Sequence, residues 1–191
     1  MGLAAKRHAY TFAEYLDLEA SSNVKHEFLD GEIYAMAGGT PRHAALTLAV
    51  AASLFNALRD SSCRAFSSDL RIRVPVSGFA AYPDVAVVCG PLEHDPASES
   101  TVTNPRLLVE VLSAGTQVFD LGEKFENYRR IPALRTGLYV WQDEARIELR
   151  TREADGGWSA RTFRSGDTVP LDDIGCRLSL DDIYRDAPPP A

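Results

Sequence analysis

Cysteine is scarce in this 191-residue chain. Cys63, Cys89 and Cys176 are odd in number and widely spaced, and no CxxC pair occurs. This argues against structural zinc and against a disulfide framework. Cys89 is expected to be a small buried hydrophobe. No apolar run approaches the ~18 residues of a membrane span. Residues Met1 to His8 have no apolar core, so no signal peptide is expected. Cationic residues are outnumbered: 20 Lys and Arg against 27 Asp and Glu leave a formal net charge of −7. A globally basic nucleic-acid coat is thereby excluded, and binding a polyanion would need a local basic patch or a metal. Internal repeats and low-complexity linkers are missing too. What is present, 45% hydrophobic and 25% charged residues, is the balance of a folded globular chain. The expectation is a cytoplasmic protein without a membrane segment. It has one domain over residues 10–185, a short tail at 1–9 and a disordered tail at 186–191.

Local patterns predict the elements. Thr11-Phe12-Ala13-Glu14 fits a capping box, predicting a helix from Phe12 to about Ala20. Asp30-Gly31 between two extended runs predicts a tight hairpin. Thr40-Pro41 reads as an N-cap with proline at the first helical position. Leu46, Val50, Leu54 and Leu58 then form a helical stripe ending near Arg59. Leu70, Ile72 and Val74 alternate with Arg71 and Arg73, as on a half-exposed strand. Pro75 to Ala81 reads as a turn, and Gly90 to Asn104 as a polar loop. Val85 to Cys89 and Leu107 to Leu112 are continuous apolar runs, as in strands buried on both faces. A helix is predicted from about Asp120 to Arg130, and strands over 137–142, 145–151 and 158–164. A terminal strand or short helix carries Leu180, Ile183 and Tyr184. The order implies a mixed α/β domain with a central sheet flanked by helices.

Two acids stand where acids are costly. Asp84 follows Pro83 at the mouth of an apolar strand, and Glu110 interrupts a run of Leu and Val. Alternation points Glu110 the same way as Leu108 and Leu112. A lone carboxylate there costs several kcal/mol or is forced neutral, so it calls for pairing, hydrogen bonds or a metal. An arginine at the sheet end would satisfy it blandly. Lys124 follows on the next helix and shares a face with Tyr128, four residues on, although Glu123, Glu126 and Arg129 beside it also suit a solvated helix. Two strand acids could hold one Mg²⁺, a hard cation that takes carboxylate oxygens. Such an ion acidifies a water and steadies charge on a phosphoryl group. The trio suits metal-dependent phosphodiester cleavage, and also other hydrolytic or binding sites.

These residues resemble a known family. Tyr82-Pro83-Asp84-Val85, Leu108-Val109-Glu110-Val111-Leu112-Ser113, Gly122-Glu123-Lys124-Phe125 and Tyr128-Arg129 look like the Uma-type restriction endonucleases of the PD-(D/E)XK nuclease superfamily. Lys25-His26-Glu27, Asp30 to Tyr34 and Pro41-Arg42-His43 also match that family's opening, so the likeness runs from about Tyr10 to Tyr184. It implies a restriction-endonuclease-like core with a metal site at one sheet edge. Asp84 matches the motif aspartate and Glu110 the second acid. The superfamily's lysine two residues later is replaced by Leu112, and the resemblance implies Lys124 as its substitute. Glu27 matches an upstream acid that could be a further metal ligand, with Glu32 a weaker competitor.

The resemblance thus implies a Mg²⁺-dependent endodeoxyribonuclease in which Asp84, Glu110, Lys124 and Glu27 are catalytic and Asp84 and Glu110 hold the metal. Mn²⁺ is a possible substitute. DNA is the expected partner, and a homodimer would suit double-strand cutting. His43, Arg129, Arg130 and Gln142 are candidate DNA contacts, as are Arg71 and Arg73 as a strand pair and Arg135 beside the Lys124 helix. Ser113 and Thr116 lack a His–Asp pattern, which argues against a serine hydrolase. The rival readings are a nuclease-fold protein that binds nucleic acid or a protein without cutting, and a structural protein with a relic site.

Overall fold

A computed structural model describes residues 8–190. Most of the expected N-terminal tail, and Ala191, lie outside the described residues.

Helix α1 (Phe12–Ser21) starts with the expected capping box. Thr11 Oγ1 accepts from the Glu14 amide at 3.2 Å, and the Glu14 carboxylate accepts from the Thr11 amide at 2.7 Å. Strands β1 (His26–Leu29) and β2 (Glu32–Ala35) meet at Asp30 and Gly31, with φ of 48° and 79°. Two consecutive left-handed residues make the turn that matches strand twist, and Asp-Gly is the pair that tolerates it. Helix α2 (Pro41–Ala57) begins where Thr40 Oγ1 accepts from the His43 amide at 3.0 Å. It buries Leu46, Val50 and Leu54. Burying each such side chain stabilises the fold by about 1.5–3 kcal/mol.

Next come β3 (Cys63–Ser67), β4 (Arg71–Val74), β5 (Phe79–Ala81), β6 (Val85–Cys89), β7 (His94–Asp95), β8 (Ser98–Val102) and β9 (Leu107–Leu112). A helical segment follows as α3 (Gln117–Phe119), a π-turn (Asp120–Lys124) and α4 (Phe125–Tyr128). Strands β10 (Thr136–Trp141), β11 (Arg146–Arg152), β12 (Trp158–Arg164), β13 (Thr168–Leu171) and β14 (Cys176–Ser179) lead to α5 (Leu180–Tyr184).

One sheet has the order β2-β1-β5-β4-β8-β7, the other β12-β11-β10-β9-β6-β3, and β13 pairs with β14. Pairing is antiparallel except for β9 with β10 and β4 with β8. Leu107, Val109 and Val111 face one core with α2 and α5. Ala86, Val88 and Leu108 face a second core, formed with Ile72, Val74 and Phe79 of the first sheet and with Tyr128. The segment carrying Lys124 therefore sits over the face of β9 that presents Glu110.

Four sequence expectations are corrected. Cys63 and Cys89 form a disulfide, because antiparallel β3 and β6 place them directly opposite each other. Only the register creates that proximity. Strand β4 is buried throughout rather than half-exposed. Arg71 lies 6% exposed because Tyr82, Thr101, Ser98 and Ser100 all accept from its guanidinium. Arg73 is likewise buried, stacked 3.7 Å over the Phe12 ring, so this pair is internal and offers no DNA-facing surface. Strand β5 lies within the expected turn, and β7 and β8 within the expected loop. Residues 187–190 have no regular structure, and the Pro188 carbonyl accepts from Arg42.

Candidate active site

Asp84 is placed by a gap in a ladder. The β6–β9 pairing ends at Val85 opposite Val109. Pro83 has no N–H to give, and the Asp84 side chain takes the next free donor: its Oδ2 accepts from the Val111 amide at 2.7 Å. The strand register thus sets Asp84 beside the backbone of Glu110.

Glu110 is 5% exposed on the face shared with Leu108 and Leu112. It does not pair with an arginine. The Tyr128 hydroxyl donates to Glu110 Oε1 at 3.0 Å, and Lys124 Nζ lies 3.0 Å from the same oxygen. Lys124 also stands 2.8 Å from Glu27 Oε1 and 3.4 Å from Asp120 Oδ1. Glu27 reaches this point from β1 of the other sheet. The thirteen residues between Glu110 and Lys124 turn back over β9, and the π-turn, a form recurrent at functional sites, brings the ammonium inward.

Electrostatics follow from burial. Desolvation opposes the Lys124 ammonium, but Glu110, Tyr128, Glu27 and Asp120 outweigh it and hold its pKa well above the usual lysine value. Burial raises the Glu110 carboxyl well above its usual range; Asp120, Asp84 and Glu27 add to the rise, and Lys124 opposes it. Burial also raises Tyr128, with Glu110 adding, so its hydroxyl stays a donor. One ammonium faces three carboxylates, with Asp84 nearby. Such a concentration of carboxyl oxygens is the kind a divalent cation takes.

Hard carboxylate oxygens are the donors Mg²⁺ takes, so Asp84 and Glu110 fit that ion by chemistry. Among the described residues, however, no three His, Cys, Asp or Glu side chains form a ready-made cluster for a metal. The carboxylates of Glu27, Glu110 and Asp120 turn to Lys124 instead.

His43 joins the site. Its Nε2 lies 3.3 Å from Asp84 Oδ2. The Asp84 hydrogen bond raises the His43 pKa, against burial. Gly39 makes room: a Cβ there would lie 2.7 Å from His43 Nδ1. Gln142 is tied to the start of α2, its Oε1 accepting from Thr40 Oγ1 at 2.8 Å. It lines a cleft of about 480 Å³ with Arg42, Leu112, Ser113 and Pro188.

Other candidates stay apart. Arg129 donates to Glu126 at the surface, and Arg130 is exposed. Arg129 and Arg135 lie near enough to Arg152 to lower its pKa, after burial, which makes a local basic patch. Glu32 accepts from the Tyr34 hydroxyl at 2.5 Å. Sequence reasoning missed Asp120. Its signal was the four-residue spacing to Lys124, which puts both on one helix face.

Three likenesses bear on this arrangement. Residues 12–181 match the Uma2 family, described as "Putative restriction endonuclease". Two relatives come from a Synechocystis strain, both called uncharacterized proteins. Slr1290 is 36% identical over 172 residues, covering 90% of each chain. Sll1609 is 35% identical over 158 residues, covering 83% of this chain and 89% of that one. The solved structure of a "putative nuclease belonging to DUF820" from Anabaena variabilis superposes with a TM-score of 0.76 at 17% identity. It covers 92% of this chain and 97% of its own. At that identity it shows the fold, which is mixed α/β and restriction-endonuclease-like.

Proposed function

We propose, since this chain belongs to the Uma2 family, that it is a metal-dependent endonuclease that hydrolyses DNA phosphodiester bonds. The family and the solved relative agree on a nuclease. The observation that carries the finer reading is the meeting of Lys124 with Glu110, 3.0 Å apart and buried, beside Asp84 pinned at the start of the neighbouring strand β6. The lysine missing from position 112 is supplied from the helical segment.

Asp84 and Glu110 would hold one Mg²⁺, with Mn²⁺ as a substitute. When bound, the ion acidifies a water and offsets charge on the scissile phosphate. Lys124 orients that water and faces the developing phosphoryl charge. Tyr128 keeps Glu110 aimed by donating to Oε1. His43 keeps Asp84 in place from the first turn of α2, where the helix N-terminus favours a phosphate. Gln142 in the adjoining cleft, and Arg129 and Arg130 beyond the Lys124 segment, are the proposed backbone contacts. Each chain offers one site, so cutting both strands of a duplex calls for a homodimer.

The test is cleavage of plasmid and linear duplex DNA with Mg²⁺ or Mn²⁺. The parent is expected to nick or cut; Asp84→Asn and Lys124→Gln are expected to do neither. Cleavage by either folded variant at the parent rate would overturn the assignment. DNA binding without metal, and no cleavage under any divalent ion, would favour a non-cutting binder.

A further inference from the structure

An ammonium has three hydrogens to donate. At Lys124 three carboxylates lie within ion-pair range: Glu27 at 2.8 Å, Glu110 at 3.0 Å and Asp120 at 3.4 Å. A water or a phosphate oxygen must therefore compete with a carboxylate for the ammonium. All four residues are at most 9% exposed, so abandoning one contact without replacement strands a buried charge, which is strongly destabilising. Lys124 can therefore act on substrate only if one carboxylate receives another cation at the same moment.

The three acceptors are not equivalent. Glu110 is the one beside Asp84, whose carboxylate is bonded to the amide of the very next residue, Val111. Glu27 stands on β1 in the other sheet. Asp120 opens the same π-turn that Lys124 closes, so it moves with the lysine.

We infer that Asp120 and Glu27 are positioning residues that retain Lys124 while Glu110 exchanges the ammonium for a divalent cation. This rests on the metal-site reading above. In the exchange one Lys124 N–H is released toward the water or phosphate oxygen. Glu27 thus serves as an anchor for the lysine and is not a metal ligand.

The experiment is a Mn²⁺ titration by calorimetry on the parent, Asp84→Asn and Asp120→Asn, with a crystal structure of the parent grown in Mn²⁺. The parent is expected to bind and Asp84→Asn to lose binding. Asp120→Asn should bind about fivefold more weakly or worse, the low end of typical coupling between sites. In the crystal, Lys124 Nζ should stand beyond about 4 Å from Glu110, past ion-pair range, and remain against Asp120 and Glu27. Two results would overturn the exchange while leaving the metal site intact. One is Mn²⁺ on Asp84 and Glu110 with Lys124 still bonded to Glu110; the other is Asp120 as a direct ligand. Unchanged binding by Asp120→Asn would remove its positioning role. No Mn²⁺ bound to the parent in either measurement would overturn the exchange and the metal-site reading together.

Discussion

Replacing Lys124 by methionine keeps the bulk of the side chain and removes its charge. Three buried carboxylates, Glu27, Glu110 and Asp120, then face one another with no cation between them. Breaking a buried pair by deleting one partner costs about 3–5 kcal/mol. For a chain of this length each kcal/mol lowers the melting temperature by about 2–4 °C, so a drop of roughly 6–20 °C is expected near neutral pH. The pH dependence carries the sharper test. Without Lys124, which opposes the rise, the folded-state pKa of Glu110 moves further above the unfolded value of about 4.3. The penalty is therefore fully present above the raised folded pKa and fades as pH falls toward the unfolded one. Thermal unfolding followed by circular dichroism at pH 8 and pH 5 should show the variant losing much more at pH 8. Lys25→Met is the control: its ion pair with Asp69 is 39% and 83% exposed on the two side chains, and its loss should leave the melting temperature nearly unchanged. Equal losses at both pH values for Lys124→Met, or no loss beyond that of Lys25→Met, would refute the buried-cluster reasoning.

Tyr128→Phe removes the donor to Glu110 Oε1 and should cost about 1–3 kcal/mol, measurable by urea unfolding. A Gly39→Val substitution must push His43 off Asp84, since its Cβ would meet Nδ1 at 2.7 Å. The raised His43 pKa should then fall back toward about 6.5, read by proton NMR in metal-free buffer. In the parent, the stability from that pair is complete below the unfolded histidine value and is lost as pH rises through the higher folded one. Thiol titration of the unreduced, denatured chain should find one reactive cysteine, Cys176, and reduction should expose all three. Three thiols before reduction would remove the Cys63–Cys89 bond.

Much of the local structure was legible in the sequence because its causes are local. The Thr11–Glu14 box, the Asp30-Gly31 turn and the Thr40-Pro41 start need only neighbouring residues and backbone sterics. The two strand acids were conspicuous because a carboxylate amid Leu and Val is costly wherever the strand lies. The family likeness then tied Asp84, Glu110 and Lys124 together, and the fold supplies the meeting of Lys124 with Glu110. Other features depend on contacts between distant segments. Arg71 and Arg73 alternate with apolar residues as surface residues do, yet a network from β8 and Tyr82 internalises one and the Phe12 ring the other. Cys63 and Cys89 are bonded because the β3–β6 register opposes them. Asp120 was passed over, despite its four-residue spacing to Lys124, because a helix acid looks solvated until the segment is folded over β9. The sequence by itself determined the chemistry available, namely four acids, one lysine and one tyrosine. Tertiary structure decided that Glu27 crosses from the other sheet and that three carboxylates share a single ammonium. Such sharing is a matter of distance in a low-dielectric interior, and spacing along the chain does not encode it.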